Sequence, residues 1–350
     1  MGNCYMSHKL TEKENCLIAY RHGVPEWIPV VRDAICHLGF WAGNELGIRG
    51  EEVEPGITLD NFGCRWDQRY GMPMADERNT LLTLDTLENW RDIVKIPRPE
   101  EWDWEMLAGG ELAHYDPNKV MVYFCEQGCF DRLITMLGFE DTCVAMLTEP
   151  EICYDIFGMI ADYRIELIRC VTKYLNPDVF QYTDDIAELT GLMISLDTYR
   201  ELLKPHHARI IAAIKENGMI AEVHTCGNCF EVLDDYVEIG VDSIFPASAC
   251  NNIPAVKKKY GNKLVVCGGF DSQGLPGRVD APRDVEFAEA KRVVEDCAKG
   301  GCFIFAPTLL GKGNMLVVDM VDGPGKDLYE GFLEYRKDFY ADPKNRVFPE

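Results

Sequence analysis

The chain predicts an α/β fold: a closed (β/α)8 TIM barrel carrying an N-terminal helical and loop extension. Three observations carry that expectation. Short apolar runs of strand length alternate with helix-period segments over the last two thirds of the sequence. The runs are continuous rather than alternating, as strands covered on both faces are. Acids, histidines and cysteines recur at the ends of those runs, where barrels of this kind carry their chemistry. A length of 350 residues suits one such domain, 1–350, with 1–115 supplying the extension and first barrel elements and 116–350 the main barrel.

Taken in order, Lys9–His22 reads as a helix, followed by Pro25-Glu26-Trp27-Ile28-Pro29 and by aromatic and glycine-rich connections. Pro97, Pro99 and the Trp102/Trp104 pair close this region. Ile28–Arg32 and a strand near residue 60 are the expected first two strands. The other six are Val120–Cys125, Val179–Asp184, Ile220–His224, Ser243–Pro246, Leu264–Cys267 and Phe303–Ala306. Helix-period segments at Pro150–Tyr174, Asp197–Asn217, Phe230–Ile239 and Val285–Ala298 lie between them. An open doubly wound sheet is the alternative, but no glycine-rich phosphate loop follows the first strand.

Charge narrows the function. Lys and Arg total 35 against 58 Asp and Glu, a formal charge of −23. Nucleic acid and anionic membrane surfaces are therefore excluded as partners. No apolar stretch approaches the roughly 20 residues of a membrane span, and the N-terminal segment lacks the apolar run of a secretory signal. A cytoplasmic protein is expected. The 15 cysteines are odd in number and show no framework, so free thiols are expected, most of them small buried residues.

The sharpest motif is Glu222-Val223-His224-Thr225-Cys226-Gly227-Asn228-Cys229. Alternation along a strand puts residues 222, 224 and 226 on one face. An imidazole and a thiolate at a strand end suit a borderline-soft cation, with zinc the obvious choice. Against this stand a chance His-x-Cys and a Cys226/Cys229 redox pair, the latter without a thioredoxin-type context. Asp184-Asp185 also ends a strand. Adjacent side chains there point opposite ways, so one of the two should enter the site, as ligand, general acid or anchor for a substrate hydroxyl. Capping of a helix is the alternative use. Glu126 offers the same choice of roles. Tyr123, Tyr182 and Trp66 are either an aromatic wall or core, and His206 and His207 are expected as surface or packing residues.

Several stretches in this order resemble the uroporphyrinogen-decarboxylase superfamily, over roughly residues 10 to 340. They are Tyr182-Thr183-Asp184-Asp185 through Ser195, Pro205-His206-His207, His224-Thr225-Cys226-Gly227, Gly240-Val241-Asp242, Lys257 to Gly261, and Gly268-Gly269-Phe270-Asp271. The segment from Lys13-Glu14-Asn15 to Pro29 is similar to the superfamily's corrinoid-dependent methyltransferase branch. The resemblance implies a TIM barrel and zinc at His224 and Cys226. The decarboxylase itself carries an N-terminal arginine cluster, whereas Val30 to His37 here holds only Arg32. The thiol-methylating branch adds a cysteine after Ala-Pro, whereas Ala306-Pro307 is followed by Thr308-Leu309, and Cys302 stands at the start of that strand.

The group that remains comprises the first methyltransferases of O-demethylase systems. These move a methyl group from an aryl methyl ether to the cob(I)alamin of a separate corrinoid protein, and often use a carboxylate among their zinc ligands. On that resemblance Glu126, Asp184, Glu222, Cys250 and Cys267 are candidates to complete the ligand set, Glu222 and Cys250 foremost. Asp184, Asp185 and Glu126 are the catalytic candidates. A small methoxylated substrate, a corrinoid protein partner and a homodimer are the expectations. Methyl transfer from methylcorrinoid to a thiol, decarboxylation, and a barrel using His224/Cys226 only structurally are the alternatives.

Overall fold

The computed structural model describes residues 10–39, 44–69, 73–310, 316–317 and 323–349. Seven parallel strands pair in chain order: β1 Ile35–Leu38, β2 Val120–Cys125, β3 Val179–Thr183, β4 Ile220–His224, β5 Ser243–Ala247, β6 Val265–Gly268 and β7 Phe303–Phe305. The two edges meet through the segment ahead of β1. Val30 forms a parallel bridge with Phe305, and the Phe305 amide donates to the Pro29 carbonyl at 2.9 Å. Through this contact the sheet closes as a TIM-type barrel.

Two of the expected strands fall elsewhere. Ile28–Arg32 supplies only the bridge at Val30; Val31–Ala34 is a helical turn, and the strand that pairs with β2 is Ile35–Leu38. The segment near residue 60 belongs to a separate four-stranded antiparallel sheet of Glu52–Glu54, Ile57–Leu59, Arg65–Asp67 and Met74–Ala75. The physical reason is local. Pro55-Gly56 is a turn signal standing directly between the first two of these strands, and so short a connection joins antiparallel neighbours only.

Side chains divide by strand parity. Ile35, Val120, Val122, Val179, Val265, Cys267 and Ile304 fill the barrel interior, while Met121, Tyr123, Phe180, Tyr182, Val266 and Phe303 pack outward against the helices. Helix α1 (Glu12–Tyr20) places Cys16, Ala19 and Tyr20 in the interior cluster and so plugs the N-terminal end of the barrel. Each fully buried Val or Ile there contributes about 1.5–3 kcal/mol. With that end filled, the C-terminal rim is the open one. A capping box starts α1: Thr11 Oγ1 accepts from the Glu14 amide at 3.2 Å and the Thr11 amide donates to Glu14 at 2.8 Å.

The outer helices that bear on the site are α2 (Cys129–Leu137), α3 (Pro150–Tyr174) and α4 (Lys204–Glu216). The approach to α4 passes through Leu196–Thr198 and a π-helical stretch at Tyr199–Leu203. Pro205 has no amide to offer the preceding turn, which accounts for the wider winding ahead of it.

The small antiparallel sheet is tied to the barrel by buried charges. Glu45 accepts from Arg164 at 2.8 and 3.0 Å and from the Tyr163 hydroxyl at 2.6 Å. Arg132 reaches both Glu45 and Asp60, and Asp60 in turn accepts from the Trp66 indole at 3.0 Å. Burial pushes the Glu45 carboxyl up, but Arg164 and Arg132 pull harder and hold it below the ordinary value. Such a network sets register more than stability. It also reaches the rim, because Arg164 donates to the carbonyls of Glu126 (2.8 Å) and Gln127.

Candidate metal centre

The loops after β3 and β4 are laced together, and that lacing builds the site. The Asp184 amide donates to the His224 carbonyl at 3.0 Å, and the Thr225 amide to the Phe245 carbonyl at 2.9 Å. The Thr225 hydroxyl donates to the Asp184 carbonyl at 2.8 Å. The Cys226 amide donates to Asp185 Oδ1 at 2.7 Å, and the Asp185 amide to Asp131 Oδ2 at 3.0 Å.

These bonds bring Asp185, His224 and Cys226 together. One ligand atom from each lies within 4.8 Å of the others. His224 Nε2 is 3.4 Å from Cys226 Sγ and 3.9 Å from Asp185 Oδ1. His224 Nδ1 is buried without a hydrogen-bond partner among the described residues. Gly227 makes the turn that follows: its φ is +79°, and a Cβ there would stand 2.4 Å from the Glu188 carbonyl oxygen.

A nitrogen, a sulfur and a carboxylate oxygen at this separation suit zinc, and three protein ligands leave room for a further one. The electrostatics agree. Partial burial, then Asp185, Asp131 and Glu126, push the Cys226 thiol up. The Asp185 carboxylate beside it favours a divalent cation, which would in turn stabilise the thiolate. Burial lowers the His224 pKa against the pull of Asp185, keeping the imidazole in its ligating form.

Asp184 does something else. Its carboxylate is fully buried and accepts from the amides of Phe130 (2.9 Å) and Asp131 (2.9 Å), with His207 Nε2 at 2.7 Å. It thereby caps α2, whose own N-cap residue is Gly128 and supplies no side chain. A Cβ at Gly128 would sit 2.5 Å from Asp184 Cβ, so glycine is what allows the approach. Cys129, Asp184 and His207 form the second group of three ligand types among the described residues. Its carboxylate already accepts from two backbone amides and faces His207 Nε2, so it reads as a structural knot. His206 and His207 are both buried rather than on the surface.

The other sequence candidates separate by position. Glu222 lies two residues deeper in the barrel, held by Gln181 (2.6 Å), Ser243 (2.7 Å) and Tyr20 (3.2 Å), and burial raises its pKa. Cys250, in the turn after β5, and interior Cys267 are outside both ligand groups. Cys229 is buried against Asn251, 3.4 Å from its Oδ1, while Cys226 is exposed; the two thiols serve different surroundings. Cys302 is buried in the barrel interior beside the Gly23 carbonyl. Tyr123 and Tyr182 pack in the core outside the barrel, and Trp66 is buried in the small sheet.

Glu126 lines a small recess on the rim with Gly39, Asn44, Leu46 and Phe124. Burial, then Asp185 and Glu45, raise its carboxyl to about 8. Both causes favour the protonated carboxyl.

One rim residue escaped the sequence reading. His37, on β1, forms ring contacts with Phe124 and Phe245, and these two rings also touch His224. Burial and His224 lower its pKa to about 4. Its parity with Ile35 is the signal that would have found it, had β1 been placed correctly.

Fold and rim thus define an α/β barrel with a candidate metal centre at its C-terminal end. The model of the uroporphyrinogen decarboxylase (URO-D) family matches residues 114–309, more than half of the chain, and the chain belongs to that family. A solved structure of a methyltransferase from Methanosarcina mazei has the same fold. It is 16% identical, covers 95% of this chain and 100% of its own, and superposes with a TM-score of 0.67. No curated protein matches. Among the described residues, no helix is long and apolar enough to cross a membrane.

Proposed function

We propose that this protein is a zinc-dependent methyltransferase that moves the methyl group of a small methoxylated substrate, an aryl methyl ether, to the cob(I)alamin of a separate corrinoid protein. The observation that carries the reading is the convergence of Asp185, His224 and Cys226 on the open rim of the barrel. The methyltransferase name of the Methanosarcina mazei structure accords with it.

Asp185, His224 and Cys226 are the residues that would hold zinc, which when bound supplies a Lewis acid for the ether oxygen. The chain's own groups do the rest. Phe124 and Phe245 flank His224 and keep water from the reacting face. As the methyl–oxygen bond breaks, its electron pair stays on oxygen, and stabilising that charge is the main demand. Glu126 donates its proton to this oxygen, and the Arg164 bond to its carbonyl holds its loop in position. Decarboxylation of a polyanionic tetrapyrrole fits less well. Arg32 pairs with Asp33 and lies 3.3 Å from the Tyr329 hydroxyl, while Arg132 and Arg164 are committed to Glu45 and Asp60.

The test is zinc content of anaerobically purified wild type and of the His224→Ala/Cys226→Ala double variant. About one zinc per chain, lost in the variant, is expected for such a site. Wild type should then demethylate methoxyaromatics in the presence of reduced corrinoid. Absence of metal from the wild type refutes the mechanism.

A further inference from the structure

Four rings from different strands tile the floor of the barrel mouth. The centroids of His37 and Phe124 are 6.4 Å apart, Phe124 and His224 5.8 Å, His224 and Phe245 5.3 Å, and Phe245 and His37 6.2 Å. The contacts form a closed circuit, and all four residues remain partly accessible although they sit on the inner face of the barrel. The surface they share is therefore the mouth itself. The rings are tilted by 48–78° to one another, so together they form an aromatic cup that can enclose a planar ring.

Within that floor, His37 is set apart from His224 by lying outside the ligand group and by having no hydrogen-bond partner among the described residues. An imidazole left with its donor and acceptor free in a half-closed apolar cup is suited to a ligand that offers both, as a hydroxyl does.

We infer that the mouth selects a planar methyl ether bearing a ring hydroxyl, and that His37 is the hydrogen-bond partner of that hydroxyl. The inference rests on the methyl-ether reading above and adds the class of ether. His37 acts here as a specificity-determining group, distinct from the three residues that would bind metal.

Calorimetric binding to the zinc-loaded protein tests it, with 2-methoxyphenol and methoxybenzene as probes against wild type, His37→Phe and His37→Gln. Wild type should bind 2-methoxyphenol about tenfold more tightly than methoxybenzene, the value of one good hydrogen bond. His37→Phe should erase the preference for the phenol while retaining zinc and affinity for methoxybenzene; His37→Gln, which keeps a donor and an acceptor, should restore part of it. A phenol preference that survives in His37→Phe overturns the inference and leaves the methyl-ether reading standing. Failure of the wild type to bind either probe overturns both.

Discussion

Asp184 and Asp185 are adjacent in the chain and chemically identical, yet the structure gives them opposite surroundings, and this contrast can be measured. Asp184→Ala removes the acceptor for the Phe130 and Asp131 amides and for His207 Nε2, the first and last of them buried. Loss of a helix cap costs about 1 kcal/mol, and each buried donor left unpaired about 1–3 kcal/mol. The expected destabilisation is about 4 kcal/mol, a large part of the 5–15 kcal/mol typical of a domain. Asp185 is part-exposed, with 37% of its side chain accessible, and its main protein bond is to the Cys226 amide. Asp185→Ala should therefore cost less than about 1 kcal/mol. Its effect should fall on zinc, with affinity lowered at least tenfold. Urea denaturation of the metal-free variants and zinc titration of each separate the two roles. A stable Asp184→Ala protein with impaired zinc binding, or an Asp185→Ala protein destabilised by several kcal/mol that binds zinc normally, would refute the assignment.

Two further outcomes are expected. Lys257 is buried against the Gly301 carbonyl, and burial lowers its pKa from 10.5 to about 8. In that interval the unfolded chain holds a proton the native chain has released, so the lysine's contribution to stability rises with pH from about 8 to 10.5, by about 3 kcal/mol in all. The stability difference between wild type and Lys257→Met, followed by urea denaturation across this range, should show that rise; a flat difference refutes it. Gly227→Ala forces a Cβ to 2.4 Å from the Glu188 carbonyl oxygen at a φ of +79°. It should destabilise by about 1–3 kcal/mol and weaken zinc binding through the displaced Cys226. Unchanged zinc affinity would show that this turn does not position the thiol.

Much of the barrel was legible because buried parallel strands leave uninterrupted apolar runs. β2, β4 and the long helix α3 fall where the pattern puts them. The first strand was not legible, because Ile28–Arg32 and Ile35–Leu38 are equally short and apolar, and only pairing with β7 and β2 distinguishes a bridge from a strand. The hairpin strands near residue 60 carry local turn signals, but those do not say which sheet the strands join.

At the site, strand parity alone predicted that one of Asp184 and Asp185 would enter and that His224 would face inward. It also placed Glu222 on the same face as His224, without showing that Tyr20, Gln181 and Ser243 would occupy it. What the amino-acid sequence determined by itself was the alternation of elements, the free thiols and the motif at the end of β4. Those are local properties, set by side-chain period and composition. What the tertiary structure decided was the partner of each polar group: Asp184 to α2, 54 residues away; Asp185 to Cys226; Glu45 to Arg164; His37 to the ring of aromatics in the mouth. Such pairings depend on which strands become neighbours when the barrel closes, and the closing contact joins Val30 to Phe305, positions far apart in the chain.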